Sequence, residues 1–117
     1  MATTLYGITN CETVKKARAW LDAKQIRYEF IDFKRAPPSA AQVKRWIDAL
    51  GADSVVNRRG TTWRKLEPAT QARADTKAGA VTLLVEHPSA IKRPVIEAGE
   101  DLLIGFDAET YAERLKS

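Results

Sequence analysis

Hydrophobic and polar residues alternate with different periods in successive stretches of this 117-residue chain. Thr3 to Gly7, TTLYG, reads as a short strand. Beyond it Val14, Ala17 and Leu21 share one helical face. Thr9 and Glu12 have capping-box spacing, so a helix is expected from a Thr9 cap to about Lys24. Tyr28 to Phe33, YEFIDF, alternates and is rich in β-formers, which predicts a second strand. KRAPPSA is a loop. Ser39 and Gln42 then form another capping box, ahead of Val43, Trp46, Ile47 and Leu50 at i, i+3, i+4, i+7, and Gly51 ends that helix.

The stretch from Gly51 to Gly60 is irregular, and the middle of the chain is helical but broken by Pro68 and Gly79. Ala78 to His87 is expected as a helix that stops before Pro88. Val95 to Ala98 and Leu102 to Gly105, joined by Gly99-Glu100-Asp101, read as a β-hairpin. Asp107 caps a last helix with Ala108, Tyr111, Ala112 and Leu115 on its core face. The order is β-α-β, a helical middle, then β-β-α. A β-α-β opening requires a parallel pair, whereas the late hairpin is antiparallel. The expected fold is α/β and thioredoxin-like: a small mixed sheet flanked by helices.

Composition narrows the function classes. A hydrophobic fraction of 44% and a charged fraction of 29% exclude a disordered chain, and the length predicts a single domain over residues 1–117. No apolar run approaches the roughly 20 residues that cross a bilayer, and MATTLYG has no signal-peptide pattern. One cysteine builds no disulfide framework, so the expected setting is the reducing cytoplasm.

Charge is uneven. Through Arg93 there are 17 Lys and Arg against 9 Asp and Glu; from Pro94 onward there are 2 against 6. The basic residues come as doublets, such as Lys15-Lys16, Lys34-Arg35 and Arg58-Arg59. Such doublets suit an anionic small substrate, an acidic protein partner, nucleic acid or a merely solvated face. Their dispersal, without interleaved aromatics, argues against nucleic acid.

The lone thiol is the sharpest feature. With Thr9 as cap, Cys11 is expected at the second helical position, where unpaired backbone N–H groups and the helix dipole favour a thiolate. Lys15, one turn along, adds positive charge. An isolated intracellular cysteine is commonly a buried structural residue. A strand-to-helix turn followed by lysines instead suits a nucleophile. Val14 stands where a Cys-x-x-Cys motif has its second cysteine, so any disulfide of Cys11 is with an outside thiol.

Two other stretches are candidates for the same site. In NRRGTTWRKL, Asn57 to Leu66, backbone N–H groups around Gly60 with Arg58 and Arg59 could hold a carboxylate; equally, this could be an exposed basic turn anchored by Trp63. In Ile91-Lys92-Arg93-Pro94-Val95 a proline opens a strand, where X-Pro bonds can be cis. His87, before a proline at a helix end, is read as facing terminal carbonyls. No metal-ligand cluster is visible, and Trp20 and Trp46 belong to the core or its rim.

GITNCETVKKARAWL, NRRGTTWRKL, IKRPV and GFDAETY together resemble the ArsC/Spx family of arsenate reductase-like proteins, and within it the YffB branch. The resemblance spans nearly the whole chain and implies a thioredoxin-like fold with a helical insertion in a cytoplasmic bacterial protein. It implies that Cys11 is the catalytic nucleophile and that Arg59, Arg93, Lys15 and Asn10 bind substrate or another anion. Pro94, as a cis-proline facing the thiol, with Thr9 and Gly60, would shape the site. It further implies a monothiol oxidoreductase with no bound cofactor and glutathione as co-substrate. The alternatives are a binding protein for the RNA polymerase α subunit, as for Spx, and an arsenate reductase coupled to glutathione and glutaredoxin. The third arginine of the family's arsenate reductases, near the hairpin's end, is absent: Leu103-Ile104-Gly105-Phe106 stands there.

Overall fold

Four short strands carry the site. The computed structural model describes residues 2–115, in which β1 is Thr3–Gly7, β2 Glu29–Asp32, β3 Val95–Ala98 and β4 Asp101–Ile104. The sheet order is β2-β1-β3-β4; β1 is parallel to β2 and antiparallel to β3, and β3 and β4 form the hairpin. The helices are α1 Glu12–Ala23, α2 Ala40–Leu50, α3 Ala52–Val55, α4 Thr61–Lys65, α5 Pro68–Gln71, α6 Lys77–Glu86 and α7 Ala108–Arg114. Short 3₁₀ turns cover Ala72–Asp75 and Pro88–Ala90. The expected mixed sheet and its chain order are observed.

The chain forms two compact units. A sheet unit joins the residues up to Ala36 with those from Arg93 onward, and a helical unit spans Pro37–Lys92. In the sheet unit, Leu5, Ile96 and Leu103 meet Val14, Ala17 and Leu21 of α1, Tyr111 of α7 and Leu115 at its C-cap in one buried cluster. The face predicted for α1 is therefore the face it buries. In α7 the expected stripe is narrower, because Ala108 and Ala112 are exposed. Tyr111 fills that space with its ring, edge-on to Trp20 at 5.4 Å and Phe106 at 5.1 Å; two methyl groups do not reach so far.

In the helical unit, Ser39 and Gln42 form the expected reciprocal capping box, and Gly51 ends α2 with φ 87°. Val43, Trp46 and Ile47 are buried, and α2 packs on α6. Three expectations change here. The stretch Gly51–Gly60 contains α3, which follows directly on the glycine. Pro68 begins a helix, as its fixed φ and missing N–H allow at a first position. Gly79 lies inside α6, where it donates its N–H to Thr76 Oγ1 at 3.0 Å. A Cβ at Gly79 would collide with the Arg73 carbonyl, so the glycine permits a close backbone approach instead of breaking the helix.

Candidate functional site

The turn between β1 and α1 depends on Gly7. A Cβ there would lie 2.8 Å from Cγ2 of Val14, a fully buried side chain of the first turn of α1. Only a glycine lets the end of β1 lie this close beneath the helix start. The chain then turns through the exposed Thr9 and Asn10 and enters the helix later than the capping-box spacing indicates. Cys11 itself is the N-cap, with extended φ −117° and ψ 122°, and its carbonyl accepts the first helical bond from Lys15 N at 2.9 Å. Thr9 is not the cap, and Cys11 is not the second helical residue.

This correction sharpens the chemistry. An N-cap side chain faces the N–H groups two and three positions on, here Thr13 and Val14. Sulfur is a weak acceptor, and the thiol forms no cap hydrogen bond. The thiolate is a stronger acceptor than the thiol and draws on hydrogen bonds from the Val14 and Thr13 amides. Partial burial pushes the Cys11 thiol up, but the Val14 N–H, the hydrogen bond and charge of Arg93, and the Thr13 N–H together pull it below the ordinary thiol value. Cys11 is half-buried and not disulfide-bonded.

Arg93 reaches the thiol because β3 neighbours β1 in the sheet, although the two residues lie 82 positions apart in the chain (93 minus 11). The Arg93–Pro94 peptide bond is cis and Pro94 is buried. The Pro94 carbonyl accepts from Gly105 N at 2.9 Å, and the Gly105 carbonyl accepts from the buried Tyr111 hydroxyl at 2.5 Å. Burial raises the pKa of Tyr111, which keeps it a donor. Gly105 takes φ 75°, a conformation glycine adopts without strain. The hydrogen-bonded series Tyr111–Gly105–Pro94 thus ties α7 to the segment that carries Arg93.

The sequence profile of the ArsC family matches residues 6–114. The chain belongs to the ArsC family. A solved structure of a YffB protein is 43% identical, with a TM-score of 0.93, covering 97% of this chain and 99% of its own. An arsenate reductase (ArsC) related protein from Brucella melitensis is 38% identical, with a TM-score of 0.75, over 100% of this chain and 97% of its own. An uncharacterized protein of Haemophilus influenzae is 38% identical over 92% of this chain and 94% of its own length. More distant is the global transcriptional regulator Spx of Bacillus subtilis, 26% identical over 91% and 81%.

This ArsC-family chain brings Arg93 to Cys11 within the sheet unit, with Pro94 following Arg93 and Thr9 and Asn10 preceding Cys11 in the chain. Lys15 is exposed and pairs with Glu12 at 3.4 Å, and it is not among the groups that lower the thiol pKa. Arg59 and Gly60 belong to the helical unit. The Gly60 N–H donates to the Asn57 carbonyl at 3.3 Å, so it closes a turn and is not presented to an anion. Arg58 pairs with Asp53 at 3.0 Å and lies 4.9 Å from the centre of the buried Trp63 ring, which matches the anchored basic turn. His87 is the C-cap of α6, its N–H donating to the Leu83 carbonyl at 2.8 Å. The sequence places Tyr111 on a core face and Gly7 and Gly105 at strand ends, without marking any of the three as part of the site.

Proposed function

We propose that the protein is a glutathione-dependent monothiol reductase with Cys11 as nucleophile. The observation that carries this reading is the lowered thiol pKa beside Arg93 and the first amides of α1. At neutral pH a larger share of Cys11 is then thiolate than in a free cysteine, and the thiolate is the attacking species. It attacks one sulfur of a disulfide, a Cys11 mixed disulfide forms, and the other sulfur leaves as thiolate. A glutathione thiolate then attacks the mixed disulfide, forming a glutathione disulfide and restoring Cys11. Arg93 supplies positive charge to the attacking and departing thiolates. Glutathione is a co-substrate here, and no resident cofactor enters the chemistry.

The absence of a second cysteine supports this assignment of roles, because resolution must come from outside the chain. Glutaredoxin is an alternative resolving partner for the same mixed disulfide. Arsenate is an alternative oxidised substrate, and the likeness to the arsenate reductase (ArsC) related protein of Brucella melitensis favours it. The lack of arginine in Leu103-Ile104-Gly105-Phe106 weighs on the other side.

Intact mass after incubation with oxidised glutathione tests the proposal. One glutathione adduct per chain, lost in Cys11→Ser, is expected near neutral pH; no adduct, or one that survives the substitution, contradicts it. A second reading rests on the Spx relative and on the exposed Arg59, Arg64 and Lys65 of the helical unit. It is docking on an acidic partner such as the RNA polymerase α subunit, with retention unaffected by Cys11→Ser.

A further inference from the structure

A cleft of about 490 Å³ opens in the sheet unit, lined by Thr9, Phe30, Ile31, Asp32, Arg35 and Ala36. It lies beside the C-terminal ends of the parallel strands β1 and β2, where crossover sheets place their ligands. Thr9 lies two positions before Cys11, a span of at most about 7 Å even when fully extended. Glutathione extends one residue to either side of its own cysteine, so its reach is comparable.

The lining is chemically mixed. Phe30 and Ile31 are half-buried neighbours on the edge strand β2 and supply the apolar part of the lining from its two faces. Thr9 contributes a hydroxyl. Arg35 contributes a planar guanidinium suited to a carboxylate, and Asp32 a carboxylate suited to an ammonium. The turn that presents them is firmly built: Asp32 Oδ1 accepts from Lys34 N at 2.9 Å, and the Asp32 carbonyl accepts from Arg35 N at 3.0 Å and Ala36 N at 2.8 Å. One cation, one anion and an apolar lining complement a zwitterionic peptide better than an inorganic oxyanion.

We infer that this cleft binds the non-reacting peptide portion of glutathione, with Arg35 on a carboxylate, Asp32 on the α-ammonium and Thr9 nearest the reacting sulfur. The inference rests on the thiol-reductase reading and names the binding residues that reading lacks. Binding at a distance from the reacting sulfur serves orientation. Arg35 and Asp32 are binding residues and take no part in the bond changes at Cys11.

The test separates binding from chemistry. Full-length Cys11→Ser protein is titrated with S-methylglutathione, a thioether that cannot exchange, and followed by amide chemical shifts. Saturable shifts at Thr9 and at Asp32 to Ala36 are expected. Arg35→Ala in the same background should weaken binding about tenfold, as the loss of a charged hydrogen bond does. Asp32→Asn should weaken it less. Shifts centred elsewhere, no saturation, or unchanged affinity in Arg35→Ala would overturn the inference. The exposed Arg35 keeps the test valid if Asp32→Asn disturbs its turn. A wild-type adduct with oxidised glutathione whose rate ignores Arg35→Ala removes the cleft and leaves the thiol chemistry. Binding of the thioether without any wild-type adduct removes the chemistry and leaves the cleft.

Discussion

The sheet unit and the helical unit differ most in charge. Residues 37–92 carry 9 Lys and Arg against 5 Asp and Glu, whereas the remainder carries 10 against 10. The whole net charge of +4 therefore belongs to the helical unit, and the thiol lies in the neutral one. The ionisation of Cys11 does not come from a generally basic surface. It comes from one guanidinium and two backbone amides, held at short range by Gly7 and by the strand that begins after Arg93. A charge in the first turn of α1 does not qualify by proximity in sequence alone, because Lys15 pairs with Glu12.

The largest expected effect breaks the helical side of this comparison. Trp46 is fully buried in its unit, and Trp46→Ala should cost about 3–5 kcal/mol in urea unfolding. A loss below about 1 kcal/mol would mean that this core is not built around the indole. Gly7→Ala is next. It forces a methyl group against Val14 and should cost about 1–3 kcal/mol while raising the Cys11 pKa, because the start of α1 must shift. An unchanged thiol titration in a destabilised Gly7→Ala protein would separate the turn from the chemistry.

The smallest effect is in the helical unit. Lys77 at 2.5 Å and Lys44 at 2.9 Å hold the exposed Asp48 carboxyl below its ordinary value. A depressed folded pKa contributes stability above the unfolded value of about 3.9, and that contribution is lost as pH falls through the folded value. The stability difference between wild type and Asp48→Asn should therefore be present at neutral pH, vanish in acid, and shrink in high salt. A difference that persists in acid would point to some other cause.

How far the sequence carried this account follows from the range of each interaction. Capping at Ser39, the apolar stripes of α1 and α2, and the alternation in β2 are local, and each was readable. The Cys11 cap was misplaced because Thr9 and Glu12 satisfy a spacing rule that the close approach of Gly7 to Val14 overrides. Gly79 read as a helix break because the Arg73 carbonyl that requires it belongs to a separate turn. Arg93 was nameable only through its place before a proline and a family resemblance. Its approach to Cys11 depends on β3 pairing with β1 across the sheet, which no local pattern encodes. The Asp32–Arg35 cleft rests on the turn after β2, which the sequence presents simply as the start of a loop.

The fold holds the Cys11 thiol below the ordinary value. The direct measurement is the rate of iodoacetamide alkylation against pH, for wild type and for Arg93→Ala. A wild-type midpoint below the free-cysteine value of about 8.5 is expected, with a higher midpoint and several-fold slower alkylation near pH 7 in Arg93→Ala. A wild-type midpoint at or above the free value, or one that Arg93→Ala leaves unmoved, would contradict it.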